Sequence, residues 1–150
     1  MDFFGQLCEN KVLWVTFLAW LISCVLKGIL VCITQRRFDV TRFMGPGGMP
    51  SSHSTIVSAL TISVGMSEGF QSAAFAICCV LALVVMYDAS GIRRAAGQQA
   101  KMINMIIDAW DETDPFEKQI RLKELLGHTP LEVMAGAILG TLIALLFYIV

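Results

Sequence analysis

Residues 12–34 read VLWVTFLAWLISCVLKGILVCIT, an apolar run with a single charge, Lys27, near its end. A helix needs about 20 such residues to cross the hydrocarbon of a bilayer, and this stretch has them. Working outward, Phe70–Tyr87 carries no charge, and Thr129–Val150 carries only Glu132, in its first turn. Ser54–Met66 is shorter and moderately polar; it counts as a fourth span because the flanking two have to be joined. The composition of the 150 residues agrees: 56% are hydrophobic, 15% are charged and the mean hydropathy is +0.69. Soluble domains carry about 25% charged residues, so little is left here to coat a water-facing surface. The expected fold is all-α: one membrane-embedded domain over residues 1–150, a polytopic bundle of four transmembrane helices plus two cytosolic or interfacial amphipathic helices.

Several classes drop out. A net charge of -1 and a pI near 6.1 argue against nucleic-acid binding, which needs a basic excess. Of the five cysteines, Cys24, Cys32, Cys78 and Cys79 sit in apolar runs without metal-ligand spacing, so neither a disulfide framework nor a zinc site is expected. The N-terminus has no basic region or cleavage site of the signal-peptide kind.

The connecting segments differ in character. Residues 67–69 read as a tight turn. Residues 35–53 are basic and then rich in glycine and proline. Residues 88–128 hold two amphipathic patterns. The first, 92–110, puts Met102, Met105, Ile106 and Ala109 on one face, which suits a helix lying at a membrane interface. The second opens at Asp114-Pro115-Phe116-Glu117, with N-cap, proline and first-turn glutamate in order, and ends near Gly127. Basic residues set orientation. Arg36, Arg37, Arg42, Arg93, Arg94, Lys101, Lys118, Arg121 and Lys123 share one side, against Lys11 on the other. Both long segments are therefore expected in the cytosol and both termini outside. Gly136 and Gly140, four apart on the last span, allow close helix packing within the monomer.

The polar residues that are costly to place in a membrane all fall at the cytosolic ends of the spans. They are Lys27, Arg36 or Arg37, the stretch GGMPSSHS (47–54), the stretch DASGIRR (88–94), and His128 with Glu132. Both histidines of the chain belong to this set. Fixed cations neutralise phosphoryl oxygens, and amides at a helix N-terminus donate to them. One imidazole can attack phosphorus while another protonates the leaving oxygen. Each residue also has a plainer reading. Ser51 and Ser52 can be helix N-caps, Glu132 can close a capping box with Thr129, and Lys27 can snorkel to the interface. Arg36, Arg37 and Arg42 can simply fix topology and touch anionic lipid.

At these residues the sequence resembles a known superfamily. PSSHS (50–54) is similar to the central Pro-Ser-Gly-His signature of the type 2 phosphatidic acid phosphatases and vanadium haloperoxidases. His128-Thr129-Pro130-Leu131-Glu132 is similar to that superfamily's final His-x-x-x-Asp, with glutamate for aspartate. With YDASGIRRAAG (87–97), the pattern looks like the divergent, short bacterial branch, from about Lys27 to Gly140. The resemblance implies His128 as a nucleophile forming a phosphohistidine, Glu132 orienting it, and His53 as general acid. It implies Lys27, Arg36, Ser51, Ser52 and Arg93 around the phosphate, with Asp88 and Ser90 supporting them. Here the third motif is split: Ser90 and Arg93 lie far in sequence from His128, so the segment between must fold back.

The expected function is a metal-independent, cofactor-free lipid phosphate phosphatase of the cell membrane, multi-pass and bacterial, with a cytosolic-side site. Its partners would be the lipid phosphate and membrane lipids, with no nucleic acid; a homo-oligomer is left open by so thin a bundle. The alternative is a non-catalytic membrane protein that binds phospholipid head groups or scaffolds partners.

Overall fold

The computed structural model describes residues 2–35, 48–110, 122 and 127–149. These form α1 (Phe3–Glu9), α2 (Lys11–Gln35), α3 (Ser52–Glu68), α4 (Ala73–Ser90), α5 (Ile92–Trp110) and α6 (Pro130–Ile149), with no strand among the described residues. The anticipated second amphipathic helix, from Asp114, lies outside the described residues.

Local chemistry sets the helix ends. The Asn10 side chain accepts from Leu13 N at 3.0 Å at the start of α2, and the Ser72 hydroxyl accepts from Phe75 N at 3.2 Å at the start of α4. Glycine ends α3: Gly69 has φ 87°, a conformation that side chains resist. The turn between α3 and α4 is therefore 69–72 rather than 67–69, because the helix continues through Glu68.

Among the described residues, three helices are long and apolar enough to cross a membrane: α2, the α4 portion of the segment 73–109, and α6. The fourth expected span, Ser54–Met66, is the 17-residue α3, about 25 Å long, and it is not among them. Its place in the fold explains its composition. α3 packs on α2, α4 and α6 together. Beside Val57 and Val64 it buries Ser52, Ser54, Thr55, Ser58, Ala59, Thr61, Ser63 and Gly65, all small. Small residues let backbones approach, and hydroxyls return to helix carbonyls: Thr55 Oγ1 donates to Ser51 O at 2.9 Å and Thr61 Oγ1 to Val57 O at 2.7 Å.

Contacts at both ends give the topology. Ser51 N donates to Glu132 O at 3.0 Å at one end, and Ser67 Oγ lies 2.6 Å from Tyr148 Oη at the other. Helices α3 and α6 thus run parallel. Their seam is close because Gly136 faces the Ser51 carbonyl and Gly140 the Thr55 carbonyl, where a Cβ would collide. The expected packing role of these two glycines is met inside the monomer. Helix α4 runs antiparallel to the pair: Thr61 Oγ1 lies 3.2 Å from Cys78 O, and His128 N donates to Ala89 O at 3.0 Å. Val15, Ala19, Ala59, Ile143 and Ala144 form the core where α2, α3 and α6 meet.

Candidate active site

Because α3 and α6 are parallel, their N-termini open at the same end of the bundle, and each brings a histidine. Ser51 caps α3, its hydroxyl accepting from Ser54 N at 3.4 Å and lying 3.1 Å from Ser54 Oγ. His53 follows in the first turn. At α6, Thr129 Oγ1 accepts from Glu132 N at 3.3 Å while the Glu132 carboxylate accepts from Thr129 N at 3.2 Å. That is a reciprocal capping box with Pro130 as the first helical residue. The same carboxylate oxygen, Oε2, lies 2.9 Å from Nδ1 of His128. Capping and pairing with His128 are therefore done by one side chain.

The two imidazoles lie 6.0 Å apart between ring centroids, at 65°. His128 is 4% exposed, whereas His53 is open to the outside on one side. The rings meet edge to face, with His53 on the exposed side. His53 sits at the mouth, ahead of the 54–66 stretch. Burial of the packed side of its ring pushes its pKa below the ordinary imidazole value, helped by the positive charges of Arg93, His128 and Lys27; Asp88 opposes them.

The cations are held differently. Lys27 is 2% exposed, and its charge is felt by both His53 and Glu132. Gly48, with φ 90°, lies against its stem: a Cβ there would stand 3.2 Å from Lys27 Cδ. The glycine-rich entry to α3 thus lets the chain cross the lysine. Arg93 is exposed, and its Nε donates to Asp88 Oδ2 at 2.6 Å. Ser90 gives its hydroxyl to Met86 O at 2.9 Å. Ser51 and Ser52 are buried, and the Ser51 hydroxyl is already engaged in capping. Arg36, Arg37 and Arg42 lie outside the described residues.

Directly before α6 the chain is back against the end of α4. The His128 amide bonds the Ala89 carbonyl, and Gly127 packs on the backbone of Arg93 and Arg94, too close for any side chain. Sequence reasoning missed what holds this return. Asn104, 6% exposed on α5, donates through Nδ2 to Leu122 O at 2.9 Å and accepts through Oδ1 from Leu122 N at 2.9 Å. The one available signal was an amide side chain within an otherwise apolar stretch, MINMII (102–107).

Two apolar cavities open sideways below the histidines. One, about 520 Å³, lies between α4 and α6 and is lined by Leu83, Val84, Met86, Tyr87, Ser90 and Val133. The other, about 340 Å³, shares Leu83 and Met86 with it and reaches Thr61 and Thr141 deeper in the bundle.

Comparison with known proteins gives one family: a family model described as the divergent PAP2 family matches residues 8–143. The uncharacterized membrane protein YuiD of Bacillus subtilis (strain 168) is 38% identical over 150 residues, covering 93% of this chain and 95% of that one. No solved structure matches.

Proposed function

This chain belongs to the divergent PAP2 family, and from that premise we propose that it is a membrane-embedded phosphatase acting on a lipid-borne phosphate. The observation that carries the reading is the meeting of His53 and His128 at the start of two parallel helices, with their rings 6.0 Å apart. Each helix N-terminus carries the partial positive charge of its dipole, which favours an anion beside it. Lys27 and Arg93 add full charges, as transfer of a phosphoryl group requires.

The chemistry runs in two steps. With Nδ1–H held by Glu132, Nε2 of His128 attacks phosphorus; the phosphorus–oxygen bond to the lipid breaks, and His53 gives its proton to the departing oxygen. Water then attacks the phosphohistidine, His53 takes a proton from it, and the phosphorus–nitrogen bond breaks to release phosphate and restore both imidazoles. The hydrocarbon tail lies in the lateral cavities along α4 and α6, whose apolar walls suit it; Ser90 and Val133 line the larger one. Helices α2, α3, α4 and α6 cross the membrane, the basic end faces the cytosol, and the substrate comes from the inner leaflet.

The test is phosphate release by the detergent-purified protein from phosphatidate, phosphatidylglycerophosphate and polyprenyl phosphates, beside His128→Ala and His53→Ala. Release by the wild type, lost in both variants, is expected. Equal release from all three proteins would remove the enzyme and leave a head-group-binding membrane protein.

A further inference from the structure

Helix α5 begins directly after Gly91, at the site end of α4, and its faces are unlike. With about 100° between successive residues, Ile92, Met102, Ile103, Met105 and Ile106 fall on one broad arc, which Gln98 and Gln99 interrupt in its first half. All five are exposed, Met102 at 65%. The opposite side holds Gly97 and Asn104, both buried, and Asn104 grips the Leu122 backbone. Arg94 and Lys101 fall between the two, at the border of the apolar arc.

We propose that α5 lies in the plane of the membrane interface, its apolar arc sunk to the head-group boundary of a phospholipid bilayer, and holds Leu122 and Gly127, which precede His128, on its inner side. Continuity argues for this occupant. The outer face of α4 exposes Ile77, Val80, Leu83, Val84 and Tyr87, on a helix long enough to cross a bilayer. The membrane that covers that face ends where α5 starts, so the same lipid meets the next apolar surface. Arg94 and Lys101 then sit level with lipid phosphates, where a bordering cation is attracted. On the inner side, the paired Asn104–Leu122 bonds and the contact of Gly127 with the backbone of residues 93–94 tie Leu122 and Gly127 to this raft. Only the role of His128 rests on the phosphatase reading; the seating of α5 does not.

The experiment therefore avoids turnover. The full chain, carrying a photoreactive phenylalanine analogue at Met102, Ile106 or Asp108, is reconstituted in vesicles of phosphatidylcholine and phosphatidylglycerol, irradiated and weighed by mass spectrometry. Phospholipid adducts at Met102 and Ile106 are expected at about tenfold the yield at Asp108. Equal yields at the three positions, or adducts to a second copy of the chain in place of lipid, would overturn the seating. In Asn104→Ala, the lipid adduct at Met102 should persist while the amides of Leu122 and His128 exchange with deuterium at least tenfold faster, as a lost local restraint implies. Unchanged exchange would overturn the hold on Leu122 and Gly127.

Discussion

Glu132 does two jobs with one carboxylate oxygen, and Glu132→Gln separates them. The amide oxygen of glutamine can still accept from Thr129 N, which the carboxylate does at 3.2 Å, so the α6 cap survives. The pairing with His128 does not. A carboxylate 2.9 Å from Nδ1 favours the tautomer that bears its proton there and stabilises positive charge on the ring. If glutamine uses its oxygen for the cap, its NH2 group faces Nδ1; the proton then belongs on Nε2, and the nucleophilic lone pair is gone. Two unit charges about 4 Å apart interact by about 4 kcal/mol at an effective dielectric of 20. That setting fits a pair with side chains 5% and 21% exposed. At about 1.4 kcal/mol per decade, the loss is about a thousandfold in kcat. Stability should move by less than about 1 kcal/mol in Glu132→Gln, and fall by about 1 kcal/mol in Glu132→Ala, which removes the cap as well. Phosphate release in mixed micelles, set beside thermal unfolding of the same preparations, measures both. Glutamine supporting wild-type turnover would show that the residue only caps its helix, and the account of His128 as an oriented nucleophile would be wrong.

Three more outcomes follow from other contacts. Gly136→Ala and Gly140→Ala would normally stabilise a helix by up to about 1 kcal/mol. Here the added Cβ strikes a carbonyl of α3, so each should instead destabilise by about 1–3 kcal/mol, read as a lower midpoint of thermal unfolding in detergent. His53, whose pKa is lowered, acts as an acid only while protonated, so kcat/KM should decline already below about pH 6.5 as pH rises. Arg93→Gln removes one of the charges that lower it and should move that limb to higher pH even while slowing turnover; an unmoved limb would refute the assignment. Cys8, exposed at the end of the bundle away from the histidines, should react with a membrane-impermeant thiol reagent on intact cells. Protection there would reverse the proposed orientation.

How much of this was written in the sequence depends on the range of the interaction. The apolar runs at 12–34, 70–87 and 129–150 foretell α2, α4 and α6 to within a few residues, because hydrocarbon thickness and local capping decide them. The capping box at Thr129–Glu132 could be read from four adjacent residues. Helix α3 was harder. Its serines and threonines look wrong for a span until the neighbouring helices that surround them are known. The convergence of His53 and His128 could be expected only through family resemblance, since 75 positions separate them and nothing local says that α3 and α6 are parallel. Asn104 was missed for the same reason: its partner is a backbone distant in sequence, which no side-chain pattern announces.

The parallel seam of α3 and α6 has a thermodynamic consequence. Side-by-side helices pointing the same way crowd two partial positive poles at one rim, and these repel until a counter-ion lies between them. Inorganic phosphate or vanadate should therefore behave as a rivet, raising the melting temperature of the bundle by mass action. It should do so even in His53→Ala, because the clasping is done by the poles and the lysine beneath them, not by turnover.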